Sequence, residues 1–433
     1  MILGLILLIQ FLKPSYGNEC WNNPLFSSKT PYKLVGNMNL DVKYPDGCKP
    51  VQINLVHRHG HRYPSRKNII EFSDMFDILK SAHQASSKDF PTENPFTVDQ
   101  DKLLTVVGEE EMYGIAQRIR QRFPELFTQS YSSVFHKFES SCKSRCLHSS
   151  SAFAYGLFEG TGALGECRFQ PVAVRTRPCD VDMVLRFFQL CQKYVAEVEE
   201  NKSAVTEMKK FGLGDEVQLV INKMKKKLGL PKIDIKLLKS MFLFCAYEIG
   251  IFNGSTNSGL CSLFDNNDLQ ILEYYLDLKH YYRRFSAFPI TYKSSCPLLA
   301  DVVKHMKKAS LNTTESLGGI FRSSHAETIM PFIALLGLNK DPVELRADNF
   351  NEMKSREFRP SCISPFSGNV YFVLYDCGSK KHKIQLYMNE YLVKIPCCES
   401  MYECDFDTFL KCYESIVDNC NFNEICSLKK TEL

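Results

Sequence analysis

The sequence lacks a dominant charge, a membrane-length apolar run, a zinc-type cysteine pattern and any internal repeat. Its 53 Lys and Arg against 49 Asp and Glu leave a net charge of +4. That is too little to argue for nucleic acid, and no RNA-reading or DNA-reading signature is present. The 18 cysteines include no two C-x-x-C elements at zinc spacing. No segment is of low complexity, and only one tryptophan, Trp21, occurs. What remains is a chain of 433 residues, long enough to bury a large core in one big domain or two. Any affinity for anions has to come from a local concentration of Arg and Lys.

What is there begins with an export pattern. Ile2 to Leu12 is apolar over about the length of a signal-peptide core, too short to span a bilayer, and Ser15-Tyr-Gly17 offers small residues for cleavage. Residues 1–17 are therefore expected to be a signal peptide. Every cysteine lies beyond Gly17, in an even number, and sequons stand at Asn201, Asn253 and Asn312. An oxidising lumen, several disulfides and N-glycans on those three asparagines are expected. The ending Lys430-Thr-Glu-Leu433 resembles an endoplasmic-reticulum retrieval tetrapeptide, so both retention in that lumen and secretion are open.

Chemistry-bearing residues gather where strands end. Val51 to Val56 has the length and β-branched content of a buried strand, and it runs directly into His57-Arg-His-Gly-His-Arg-Tyr-Pro64. Gly60 and Pro64 stop the strand, which puts His57 to Arg62 on the loop at its C-terminal end. Ser133 to Phe138 alternates like a second strand, leads into Glu139-Ser-Ser-Cys-Lys-Ser-Arg-Cys146, and a helix is expected from Leu147 to Phe158. Leu317 to Phe321 reads as a third strand, followed by Arg322-Ser-Ser-His-Ala-Glu327 and an apolar helix over Thr328 to Leu338 with Pro331 in or near its first turn. Asn68 to Ala85 and Glu109 to Phe127 also carry helical spacing. Between Pro171 and Tyr292 long helical stretches dominate, among them Asp182 to Met208, Glu216 to Leu228 and Asp268 to Phe285. The pattern predicts an α/β fold with a central mixed sheet flanked by helices. Residues 18–170 and 293–433 would form the α/β domain, with a smaller, mainly helical domain inserted at 171–292.

Two kinds of chemistry fit His59, Arg58 and Arg62, Arg145, and His325 with Glu327. In one, His57-x-His59-x-His61 ligates a metal; Gly60 interrupts the extended chain that would align the three rings, and the arginines oppose a divalent cation. In the other, guanidinium forks from separate loops hold a phosphomonoester without metal. A histidine inside that ring of charge stays neutral and can attack phosphorus. Glu327, at a helix N-terminus, is suited to protonate the departing alkoxide.

Arg58-His-Gly-His-Arg-Tyr-Pro64 resembles the R-H-G-x-R-x-P signature of the histidine acid phosphatases. His325-Ala-Glu327, Lys143 to Ser150, Leu185-Arg-Phe-Phe188, Leu276-Asp-Leu-Lys279 and Phe372-Val-Leu-Tyr375 resemble the inositol-polyphosphate-cleaving branch, across nearly the whole mature chain. The resemblance implies the histidine-phosphatase fold and no cofactor or metal. It implies His59 as a nucleophile that becomes phosphohistidine, Glu327 as proton donor, and Arg58, Arg62, Arg145 and His325 as the phosphate ligands. It also implies inositol hexakisphosphate, lower inositol phosphates and 2,3-bisphosphoglycerate as substrates. His61 stands at a variable position that is usually small in that branch, and an altered pocket shape is expected there. A broad-range acid phosphatase and a non-catalytic inositol-phosphate-binding pseudoenzyme are the alternatives.

Overall fold

The computed structural model describes residues 20, 25–80, 82, 91–313, 316–400 and 402–428. The expected signal peptide, Trp21 and the C-terminal tetrapeptide lie outside them. The architecture is α/β: one eight-stranded mixed sheet with helices on both faces. Its strands are β1 (Lys49–Arg58), β2 (His136–Ser140), β3 (Val174–Thr176), β4 (Gly319–Ser324), β5 (Asn369–Asp376), β6 (His382–Met388), β7 (Tyr391–Val393) and β8 (Cys404–Asp405). The order is β3-β2-β4-β1-β5-β6-β7, with β8 on β6. β1, β2, β3 and β4 run parallel, and β5 turns the sheet antiparallel.

Period-two alternation divides the sheet between two cores. Ile53, Leu55, Phe321, Tyr371 and Val373 face the helices Val106–Arg122 and Ser144–Phe158 through Met112, Ile115, Phe153 and Leu157. Val56, Val370, Phe372 and Leu374 face the other way, into a core shared with Leu298, Ile329 and Phe409. That second core also takes in Val217, Leu238, Met241 and Tyr274. The helices Asp215–Leu228, Ile235–Ile251 and Asn266–Arg284 therefore belong to one apolar body with the sheet. The sheet's edge strand β3 itself falls within 171–292, and Tyr292 lies inside the helix Pro289–Lys293.

One helical stretch differs from its expected form. Asp182 to Met208 is broken into Phe187–Leu190, Gln192–Tyr194, a π-turn at Val195–Glu199 and a 3-10 turn at Lys202–Val205 before the helix Thr206–Leu213 begins. Cys191 is extended (ψ 93°) and disulfide-bonded to Cys426, which interrupts the apolar periodicity from outside the segment. Pro331 sits in the middle of the helix Ala326–Leu335, beyond its first turn. Lacking an N–H, it leaves the carbonyl of Glu327 without its helical donor.

Disulfides join Cys20–Cys362, Cys48–Cys377, Cys142–Cys179, Cys191–Cys426, Cys245–Cys261, Cys296–Cys420, Cys397–Cys412 and Cys398–Cys404. Cys146 and Cys167 are free. That density marks an oxidising compartment, secreted or lumenal. No helix among the described residues is long and apolar enough to cross a membrane.

Candidate active site

Strand order builds the site. β2, β4 and β1 are adjacent and parallel, so their C-terminal ends open onto one crevice. Backbone bonds continue past the strands: the His59 N–H donates to Ser324 (3.0 Å) and the Ser141 N–H to Ser323 (2.9 Å). His59, Ser141 and His325 are thereby neighbours although the chain separates them widely.

The loop after β1 is gripped from beneath. The helix Val106–Arg122 starts at Thr105, whose N–H (3.0 Å) and hydroxyl (2.8 Å) both donate to the His61 carbonyl. Glu111, one turn on, accepts from the N–H groups of His61 (3.0 Å) and Tyr32 (3.1 Å) and from the Ser367 hydroxyl (2.7 Å). This close approach explains Gly60, since a Cβ there would lie 2.3 Å from the Gly108 carbonyl oxygen. The Gly60 N–H donates to Ser149 (2.9 Å), whose hydroxyl donates to the Arg145 carbonyl (2.7 Å), so the loops after β1 and β2 are tied together.

The side chains now fall into place. His59 is buried, and its Nδ1 lies 2.9 Å from the Gly60 carbonyl. A carbonyl only accepts, so Nδ1 carries the proton and Nε2 the lone pair. Burial, then Arg58, Arg145, His325 and Arg62, holds the His59 pKa well below the usual imidazole value. Arg58 donates to the carbonyls of Ser28 (2.7 Å) and Ser364 (2.8 Å) and lies over the Phe366 ring at 4.3 Å. Arg62 lies 6.0 Å from the same ring and Lys29 5.7 Å. Burial and the neighbouring guanidinium of Arg62 push the pKa of Arg58 down, as crowded cations without an anion must be.

His325 sits between two guanidiniums. Arg145 Nη2 is 3.3 Å from Nδ1, and Arg186 Nη1 is 3.0 Å from Nε2, which also meets the Ser141 hydroxyl at 2.8 Å. Guanidinium only donates, and a neutral imidazole offers one lone pair. A neutral His325 therefore accepts from only one of the two arginines at a time; Arg186 also donates to the Ser141 hydroxyl (3.1 Å) and to Gln189. Burial, then Arg145, lowers the His325 pKa to about 3. Cys146 fills the space behind, its Sγ 3.6 Å from His325 Nε2, and burial pushes its thiol up to about 12.

Glu327 opens onto a cleft of about 600 Å³ lined by Phe188, Leu190, Tyr194, Glu199 and Arg284. Its side chain is 37% exposed, and its Oε1 is 3.8 Å from Arg284 Nη2. Its partial burial alone would raise its pKa, but Arg284, His325 and Arg58 outweigh that and hold it below the usual carboxylate range. The crevice thus brings together Arg58, His59, Arg62, Arg145, His325 and Glu327. His57 is turned away, packed on Phe153 at 5.3 Å, and His61 is buried against Phe366 at 4.3 Å. The three imidazoles therefore do not converge, and no metal-type cluster occurs among the described residues. His148 is exposed on its helix.

A family model described as the histidine phosphatase superfamily (branch 2) matches residues 51–389. The chain belongs to that superfamily. Relatives of this histidine phosphatase include multiple inositol polyphosphate phosphatase 1 of Gallus gallus, 32% identical over 90% of this chain and 86% of the relative. The Homo sapiens protein of the same name is 30% identical over 94% and 90%. Among solved structures, the phytase from D. castellii has a TM-score of 0.73 at 19% identity, covering 94% of this chain and 86% of that one. A Bifidobacterium longum multiple inositol polyphosphate phosphatase in complex with inositol hexasulfate has a TM-score of 0.67 at 17% identity, covering 90% and 97%. Both share the fold.

Arg186, Lys29, Glu111 and Phe366 were not legible as site residues in the sequence. Arg186 lies inside Leu185-Arg-Phe-Phe188, a segment singled out by resemblance alone, and the break in the expected helix is what carries it to His325.

Proposed function

We propose that this histidine phosphatase removes phosphates from inositol polyphosphates, inositol hexakisphosphate among them, through a phosphohistidine on His59. By the same family resemblance, 2,3-bisphosphoglycerate is a further substrate. The supporting observation is a surplus of positive charge. Among the described residues, Lys29, Arg58, Arg62, Arg145, Arg186 and Lys279 crowd the crevice without a carboxylate ion pair, and the acid facing them, Glu327, pairs only distantly with Arg284. One phosphomonoester brings about two negative charges. So many free cations suit a ligand carrying several such groups, as the names of the relatives also suggest.

In this reading Arg58, Arg62, Arg145 and His325 hold the transferring phosphoryl group by bidentate and charge-assisted bonds. The lone pair of His59 Nε2 attacks phosphorus in line, and the P–O bond to the inositol oxygen breaks. Glu327 gives that oxygen its proton. Its carboxyl is ionised while the cleft is empty; the arriving phosphates cancel the charge of the arginines and let it take up a proton. Water then attacks the phosphohistidine, the Glu327 carboxylate accepts its proton, and inorganic phosphate leaves. The arginines supply the charge neutralisation that a metal supplies elsewhere.

The test is hydrolysis of inositol hexakisphosphate and an aryl phosphate by the purified protein, with and without EDTA. A higher kcat/KM for the inositol phosphate, unchanged by EDTA and abolished by His59→Ala, is expected. Equal preference would favour the broad-range acid phosphatase, and tight binding without turnover the pseudoenzyme. In the same reading the protein works in the endoplasmic reticulum lumen or outside the cell, with N-glycans on Asn201, Asn253 and Asn312. A fall in mass on glycosidase treatment checks the glycans.

A further inference from the structure

The cleft wall facing Glu327 holds a second carboxylate. Glu199 ends the π-turn Val195–Glu199, a kind of helix irregularity frequently found at functional sites. Its carboxylate engages Arg284: Glu199 Oε2 pairs with Nη1, and Oε1 lies 3.3 Å from Nη2. The Tyr194 hydroxyl lies 3.2 Å from Glu199 and 2.8 Å from the Arg283 carbonyl, either of which can accept its one proton, and its oxygen accepts from Arg284. Arg283 adds a longer contact to Glu199, at 3.6 Å. Arg284 Nη2 thus stands between two carboxylates, 3.3 Å from Glu199 and 3.8 Å from Glu327. Its charge is committed mainly to Glu199.

We infer that Glu199 and Arg284 are positioning residues of the cleavage reaction: Glu199 holds Arg284 back from Glu327 and keeps that carboxyl able to carry the proton it donates. The inference rests on the reading of Glu327 as proton donor. Glu327 is faced by ionisable groups, most of them cationic, from every element packed against it; His280 and His325 are held neutral by burial and the neighbouring cations. Arg284, Lys279 and His280 come from one helix, and His325 directly precedes its own. Arg58, Lys29, Arg145 and Arg186 face it from the remaining loops, and Tyr194 from the cleft wall. Those that grip phosphate are neutralised when substrate arrives. Arg284 has Glu199 as its permanent counter-ion, so it does not depend on the substrate for neutralisation. Without Glu199 it would remain an uncompensated cation beside the donor, and the proton would stay off.

The pH dependence of kcat on an inositol phosphate tests this, because the rate falls on the alkaline side as the donor loses its proton. Glu199→Gln frees Arg284 to act on Glu327, so that limb should move down by about one pH unit. Arg284→Gln should move it up by a similar amount, and the double variant should behave like Arg284→Gln. An aryl phosphate, whose leaving group needs no proton, should show none of these shifts. Glu327→Gln serves as the control. If it abolishes the limb while Glu199→Gln and Arg284→Gln leave it where it was, the pair has no such role and the donor stands. If the limb survives Glu327→Gln, the donor assignment itself fails. A loss of rate without a shift in the limb would mean that the pair only supports the cleft wall, and would overturn the inference.

Discussion

Gly250 and His61 share one space. A Cβ on Gly250, in the helix Ile235–Ile251, would lie 2.2 Å from His61 Nε2, so the helix can approach the loop after β1 only because residue 250 lacks a side chain. His61 is buried between Phe366 and Tyr247, with neither ring nitrogen hydrogen-bonded. Burial, then Arg62 and Arg58, keeps its pKa well below the ordinary value. It packs as an uncharged aromatic plug under the site. Gly250→Ala should therefore cost about 1–3 kcal/mol by overpacking. In a His61→Ala background the same change should cost little. A double-mutant cycle by urea unfolding measures the difference, and additive costs would show that the two residues do not compete.

Glu327→Gln keeps the shape of the proposed proton donor and removes its ionisable carboxyl. Turnover of an inositol phosphate, whose leaving alkoxide is poor, should fall by about 10²-fold or more. Turnover of an activated aryl phosphate should fall far less. Steady-state kinetics on both substrates decide it, and equal losses would remove Glu327 from proton transfer.

Glu111 satisfies donors from three separate segments, Tyr32, His61 and Ser367. Glu111→Ala would leave these buried groups without an acceptor and should destabilise the fold by about 2–4 kcal/mol. Glu111→Gln keeps one acceptor oxygen and should lose less. Thermal melting of the two variants gives the order.

Glu248 lies on the same helix as Gly250, and burial raises its pKa to about 7 although the Leu260 N–H (3.0 Å) donates to it. The folded state then holds a proton that the unfolded chain, with a value near 4.5, releases. Between those two values this group's contribution to stability declines as pH rises, and below the lower one it is fully present. Glu248→Gln should flatten the loss of stability between pH 5 and pH 8. Urea midpoints at the two pH values check the sign.

Short-range signals in the sequence carried much of this molecule. The run Val51 to Val56 ending in charge marks β1, and its near-continuous apolar content reflects burial on both faces. Helical spacing from Glu109 marks the helix that grips the loop after β1, although the helix begins earlier, at Val106, and nothing local says what it holds. The break at Cys191 was invisible because its cause, Cys426, is 235 residues away. Arg186 carries no local mark for the same reason, since its partner His325 belongs to another strand end.

By itself the sequence determined the alternation of strands and helices, the export-type cysteine usage and the chemical groups at three strand ends. Each of these depends on residues close together in the chain. Tertiary structure alone decided that β2, β4 and β1 lie side by side, that Phe366 underlies Arg58 and that Glu199 shares Arg284 with Glu327. Strand order and side-chain packing are settled by contacts between distant segments, and no local pattern encodes a distant partner.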